Sequence, residues 1–287
     1  MKIVAECVPC LIKRCSYEAG LVNPDKIEEV VKLATEMLED LYSPEECSAS
    51  VATEVHHAVY TLLGGDPYAD IKKSCNQVAM SLVPRAEKLI SSDPDPLKAA
   101  ITCAIVGNIF DFGIAGSAQD PEELGRTFDE LYSEGIHIDD TEKIKKYLME
   151  GAKVLFFTDN CGEVVFDKLL CSELKKSGVH LTVVVKGEPI LTDATRTDAE
   201  DLVFSEVADE IMDTNAFAVG LDFDKITPEL LEKIETADII ISKGMANFES
   251  FSERNYKPIA YLMRTKCRPV ADALGLGTEL NIAKLIE

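Results

Sequence analysis

From Gly151 onward one pattern recurs: a short apolar run, followed at once by a polar cluster that contains glycine. Lys153-Val154-Leu155-Phe156-Phe157 leads into Thr158-Asp159-Asn160-Cys161-Gly162-Glu163. Val179-His180-Leu181-Thr182-Val183-Val184-Val185 leads into Lys186-Gly187-Glu188-Pro189, then Thr192-Asp193-Ala194-Thr195. Ala237-Asp238-Ile239-Ile240-Ile241 leads into Ser242-Lys243-Gly244-Met245-Ala246-Asn247-Phe248-Glu249. Compact apolar runs of this kind are strands buried on both faces. The amphipathic stretch from Phe166 to Lys176 between the first two reads as a covering helix. Such alternation predicts an α/β unit with a parallel sheet under helices, and Pro258 to Met263 offers a further strand.

Residues 1 to about 148 carry the helical period instead. The clearest stretch runs from Ile27 to Leu38 behind Pro24 and Asp25, and Val51 to Leu63 is closed by Gly64-Gly65. Ile71 to Ile90 reads as a third helix that Pro84 ends or kinks. Leu97 to Ile105, Glu122 to Tyr132 and Thr141 to Met149 follow, with no β-rich run. The expected division is a helical domain, residues 1–148, and an α/β metal-binding catalytic domain, residues 149–287. No repeat or low-complexity linker separates them, so the halves are expected to pack tightly.

The chain has 287 residues and a formal net charge of −22. That charge repels nucleic-acid backbones and anionic membranes, so neither is an expected partner. A small anionic substrate stays open, because a bound divalent cation inverts the local field. Nine cysteines, an odd number scattered along the chain, do not form a secreted disulfide framework. With no signal peptide and no uncharged apolar stretch of membrane length, a soluble cytoplasmic protein is expected. The oligomeric state is not legible.

In open α/β sheets ligands bind beyond the carboxyl ends of the strands. Asp159 and Asn160 supply hard oxygen donors at one end and Asp193 at the next, a set suited to Mg²⁺, Mn²⁺, Co²⁺ or Ni²⁺. The competing reading is that Asp159 and Asn160 merely cap the next helix. Lys186 and Lys243, each followed by glycine, suit phosphate as point charges, unless they are solvated turn residues. Neither a phosphate-binding P-loop nor a dinucleotide fingerprint is present. Cys7-Val8-Pro9-Cys10, with Cys15 beyond, lacks the second pair of a structural zinc site. His56 and His57 point to different helix faces, and buried inert cysteines are the plainer reading. Cys161, inside the candidate site at a helix start, is a minor nucleophile candidate. Asn108 and Asp111, within Gly107 to Gly113, read as the lining of a cleft between the halves, or as Asx turns.

Asp159-Asn160-x-Gly162-Glu163-x-x-Phe166-Asp167 resembles the signature of the damage-control phosphatase family, also called acidic-residue-methyltransferase-like. Asp66-Pro67-Tyr68 with Lys72 and Asn76, Gly107-Asn108-x-x-Asp111, Lys186-Gly187-x-Pro189 with Asp193, and Lys243-Gly244-x-x-Asn247-x-Glu249 complete the likeness. The N-terminal C-x-x-C and the compact length resemble its archaeal and bacterial branch. The resemblance implies an all-helical domain followed by a three-layer α/β/α domain with a mainly parallel sheet. It implies metal-dependent hydrolysis of small phosphate monoesters, sugar phosphates or damaged phosphometabolites, with Asp159, Asn160 and Asp193 as metal ligands. Lys186 or Lys243 would stabilise the phosphoryl oxygens. Asp159, Glu163 or Asp193 would act as general base, and an aspartyl-phosphate on Asp159 is a variant. Asn108, Asp111, Asn247 and Glu249 are the substrate-binding candidates. A longer branch carries Arg-Thr-x-Lys, which Arg264-Thr265-Lys266-Cys267 does not reproduce. The rival readings are an S-adenosylmethionine-dependent carboxyl methyltransferase and a non-catalytic protein that binds a metal or phosphometabolite.

Overall fold

The computed structural model describes residues 1–110 and 121–287. Helices α1 (Cys7–Val22), α2 (Ile27–Leu41) and α3 (Ser48–Leu63) enclose an apolar cluster of their own around Cys15, Val30, Leu38 and Val55. Val30, Ala34 and Leu38, buried at intervals of one turn, are the core-facing stripe of α2. Gly64 ends α3 at φ 88°, a left-handed cap that costs glycine little.

Helices α4 (Ala69–Ser81) and α5 (Val83–Ser92) replace the single run expected from Ile71 to Ile90. They part at Leu82, because Pro84 has no N–H to give the preceding turn and fits only the first turn of a new helix. In α6 (Pro96–Val106) the Asp95 carboxylate caps the start, accepting from Lys98 N at 3.2 Å. α7 spans Pro121–Glu134.

A seven-stranded sheet follows, in the order β1-β7-β6-β5-β2-β3-β4 among the described residues. Its strands are β1 (Ile138–Asp139), β2 (Lys153–Phe157), β3 (His180–Val185), β4 (Glu210–Asp213), β5 (Ile239–Lys243), β6 (Ile259–Arg264) and β7 (Asn281–Ile286). All neighbours pair in parallel except β6 and β7. Helices α8 (Thr141–Ile144), α9 (Glu163–Lys176), α10 (Arg196–Asp201), α11 (Pro228–Thr236), α12 (Met245–Phe251) and α13 (Arg268–Ala273) connect them. The period of two divides β2 between two cores. Val154 and Phe156 pack with α6 and α9, while Leu155 and Phe157 pack with Leu230, Phe251 and Val270 from α11, α12 and α13. The molecule is therefore α/β, with helices on both faces of a mainly parallel sheet.

Three strands, β1, β4 and β7, were not read from the sequence. Ile138-Asp139, in the half read as helical, pairs with Ile282 and Ala283 as an edge strand. A strand of two residues carries no period that could reveal it. The core of α4, α5 and α6 is continuous with one face of the sheet, so apolar packing runs across residues 148/149, in keeping with the tight packing expected of the two halves. β4 escaped notice because only Met212 in it is buried. Among the described residues no helix is long and apolar enough to cross a membrane.

Candidate active site

The site grows from the carboxyl ends of β2 and β3. Thr158 N still donates along the ladder to Val184 O at 3.0 Å, and the chain then leaves the sheet at Asp159. The segment after β3 folds back and is pinned to it. Lys186 N donates to Ala194 O (2.9 Å), Ala194 N to Asp159 O (2.8 Å) and Cys161 N to Thr192 O (2.7 Å). Asn160 and Asp193 face each other in an antiparallel bridge. Backbone pairing thus brings Asp159, Asn160 and Asp193 together. Asn160 Nδ2 donates to Asp159 Oδ2 at 2.7 Å, and Thr192 Oγ1 donates to Asn160 Oδ1 at 2.8 Å. Neither Asp159 nor Asn160 caps α9. That helix starts after Gly162, whose N–H donates to Asn76 Oδ1 of α4 at 2.7 Å.

The Asp159 carboxylate lies against the backbone of Gly244. A Cβ at Gly244 would fall 2.0 Å from Asp159 Oδ2, and its φ of +75° is itself unfavourable for other residues. Gly244→Ala should therefore push the carboxylate aside. Turnover is expected to fall about 100-fold or more, the scale for misplacing a reacting group by an ångström. Steady-state rates beside a circular-dichroism spectrum check this, and a normal rate would show that the carboxylate has room.

Four carboxylates and two ammoniums are buried here. Lys243 is fully enclosed: its Nζ donates to Glu163 Oε1, to Asp167 Oδ1 (2.6 Å) and to Ala104 O (3.1 Å). Burial works against its charge, but Asp167 and Glu163 outweigh burial and hold the ammonium above the ordinary lysine range. Asn108 Nδ2 donates to the other oxygen of Glu163 at 2.5 Å. Lys186 Nζ donates to Gly220 O and to Asn247 Oδ1 (3.1 Å), and lies 3.4 Å from Asp193 Oδ2. Asn247 Nδ2 donates to Thr158 O and Lys243 O, both at 2.9 Å. Burial pushes the Asp159 carboxyl well up, the Glu163 and Asp193 carboxylates add to it, and the two lysines offset only part. Asp159, Glu163, Asp167 and Asp193 exceed Lys186 and Lys243 by two negative charges. With every group ionised, a divalent cation would offset that excess, and Asp159, Asn160 and Asp193 present the hard oxygen donors such an ion takes.

A cleft of about 100 Å³ opens onto these donors. Asn108, Asp159, Asn160, Thr192, Asp193 and Gly244 line it, and Arg14, Arg264 and Lys266 bring positive charge to it. Lys266 Nζ donates to Asn108 O at 2.9 Å, and Arg264 is tied to Asn281, Glu134 and Glu279. A roomier hollow of about 260 Å³, around Lys153, His180 and Glu232, lies elsewhere on the sheet and holds none of the candidate residues.

Several residues singled out in the sequence stand apart from this lining. Lys243, read as a phosphoryl partner, is enclosed among Glu163, Asp167 and Ala104, and Glu163, read as a base, is enclosed with it. Asn247 spends both ends of its amide holding Lys186 and the ends of β2 and β5. Glu249 lies beside Ser48 and the N-terminal residue, with its backbone carbonyl accepting from Met1 N. Lys186 is buried beside Asp193 behind the cleft surface. Burial and the nearby Asp198 push the Cys161 thiol well up, and its Sγ lies 3.3 Å from Asp198 Oδ1, which works against a thiolate there. Asp111 lies outside the described residues. Arg14 and Lys266 were missed. Arg14 sits in α1 beside a conspicuous cysteine pair, and nothing in its local sequence tells that α1 reaches the sheet. Lys266 falls one residue short of the Arg-Thr-x-Lys spacing, yet the turn after β6 delivers it to the cleft.

The damage-control phosphatase ARMT1-like domain matches residues 3–282. A damage-control phosphatase of Archaeoglobus fulgidus is 40% identical over 290 residues and covers 100% of both chains. The damage-control phosphatase PH1575 of Pyrococcus horikoshii is 27% identical over 278 residues, covering 96% of this chain and 94% of that one. The crystal structure of that duf89 family protein superposes with a TM-score of 0.90 at 25% identity over the whole of both chains.

Proposed function

Because this chain belongs to the damage-control phosphatase family through its ARMT1-like domain, we propose that it is a metal-dependent phosphatase of small phosphate monoesters. The observation that carries the reading is the pairing of Asp159, Asn160 and Asp193 at one cleft with Arg14, Arg264 and Lys266. Asp159, Asn160 and Asp193 would hold Mg²⁺, Mn²⁺, Co²⁺ or Ni²⁺ through oxygen donors. When bound, such an ion supplies charge neutralisation and an acidified water. The chain's own residues do the rest. Arg14, Arg264 and Lys266 attract and orient the phosphate group against the −22 field of the molecule. Asp193, held beside Lys186, and Asp159, held against Gly244, are the carboxylates able to accept a proton from attacking water. Lys186 and Lys243 serve this site as positioning residues, fixing Asp193 and α9.

A cleft of about 100 Å³ as lined by the described residues is small beside the roughly 300–1,000 Å³ of drug-sized ligand pockets. That favours a small phosphorylated metabolite, such as a sugar phosphate, over the nucleoside cofactor of a methyltransferase. The test is hydrolysis of sugar phosphates and a generic phosphate ester after chelation, then with each of the four ions. Turnover should vanish with chelator and return with metal. A rate indifferent to chelator would end the metal-dependent reading. Binding of S-adenosylmethionine in a calorimeter without metal would favour the methyltransferase, and metal binding with no turnover on any ester would favour a binding protein.

A further inference from the structure

We propose that Cys15, Glu18 and His56 hold a second cation, a zinc-class divalent ion, inside the three-helix cluster. The three side chains are all buried, and one ligand atom from each lies within 4.8 Å of the others. Cys15 and Glu18 are three residues apart and share one face of α1. His56 approaches from α3, its Nδ1 at 3.0 Å from Glu18 Oε1, while His57 points outward and packs edge-on against Phe217. Zinc bonds of about 2.0–2.3 Å put tetrahedral ligand atoms about 3.3–3.8 Å apart. A contraction of about 1 Å from the observed limit therefore completes the set. The Tyr68 hydroxyl, 3.3 Å from Glu18 Oε1, borders the fourth position.

The donor chemistry separates this site from the cleft. Sulfur, imidazole and carboxylate select a borderline-soft ion, whereas the oxygen donors of Asp159, Asn160 and Asp193 select a hard one. Charge agrees: one thiolate and one carboxylate neutralise a divalent ion and leave no net charge in an apolar core. On binding, the ion takes the place of the Cys15 thiol proton, which leaves to solvent, and of any second proton on His56. The ion would fasten α1 to α3. Arg14, next to Cys15, lies 5.9 Å over the Tyr68 ring and lines the cleft, so the fastening would also set where α1 delivers its charge. None of this depends on what the cleft hydrolyses.

Cobalt(II) titration of the reduced full-length chain tests the site. Wild type and Asp159→Asn should both take up one equivalent that shows sulfur-to-cobalt charge-transfer absorption in the near ultraviolet. Zinc should displace it and magnesium should not. Cys15→Ser should lose the band, and His56→Gln, which removes a ligand, should bind at least about tenfold more weakly, since even outer-shell changes cost that much. If Cys15→Ser fails to fold, His56→Gln decides alone: unchanged affinity overturns the site, and a loss of tenfold or more supports it. No sulfur band in wild type also overturns it. A full band in folded Cys15→Ser overturns it too, since the ion would then sit on other cysteines, such as Cys7 and Cys10.

Discussion

Replacing Lys243 with methionine is expected to lower the unfolding free energy by about 3–5 kcal/mol, the usual cost of removing one partner from a buried ion pair. At roughly 2–4 °C per kcal/mol for a chain of this size, the melting midpoint should drop by about 10 °C. Lys243 is the shared cation of Glu163 and Asp167, none of them exposed, and Asp167 Oδ2 has no hydrogen-bond partner among the described residues. Methionine fills the space but leaves two carboxylates against each other in an apolar core. Burial already pushes the Asp167 carboxyl up, with Lys243 pulling against it. Without the lysine the Asp167 carboxyl rises further above its unfolded value. Groups with raised folded values bind protons more tightly in the folded state, so the variant should regain stability as pH falls toward 5. Adding Asp167→Asn should restore part of the loss. Thermal melts at pH 7 and pH 5, beside the rate per folded molecule, check the assignment. An unchanged midpoint with a large loss of turnover would return Lys243 to the phosphoryl group.

Asp159→Asn should reduce kcat/KM by about 1,000-fold or more, roughly 4 kcal/mol of barrier, while leaving the metal-free protein more stable than wild type. The second half follows from the sign of the titration. The Asp159 carboxyl is raised by burial, with the neighbouring carboxylates adding to it. A raised acid favours the folded state only where it is protonated. Stability is lost as pH rises from the ordinary carboxylate range toward the raised folded value, so at neutral pH the group costs stability whichever form it holds in the fold. Asparagine removes that cost and its own oxygen can still accept from Asn160. A divalent ion should then raise the wild-type melting midpoint far more than that of the variant. Melting curves in chelator and in millimolar Mg²⁺ or Mn²⁺ measure both halves. A variant less stable than wild type in chelator, with equal metal-induced shifts, would remove Asp159 from the ligand set.

The sequence by itself determined the elements whose signal is local. The runs at β2, β3 and β5 were legible because a strand buried on both faces needs continuous apolar residues. The break at Pro84 and the cap at Gly64 were legible because proline and glycine act through their own backbones. Asp159, Asn160 and Asp193 could be named because they follow such runs, and polar clusters at strand ends face a common side of a parallel sheet. Only the tertiary structure decided which charges face the cleft. Lys186 and Lys243 both precede a glycine at a strand end, yet one is locked beside Asp193 and the other is sealed between Glu163 and Asp167. The direction a side chain takes at a strand end depends on the helix that packs there, and α6 and α9 come from opposite sides of residue 148. Arg14 reaches the cleft for the same kind of reason: α1 is placed by its packing against α2 and the more distant α3. Local pattern encodes period and turn, whereas the pairing of buried charges depends on distances that exist only after the chain has closed on itself.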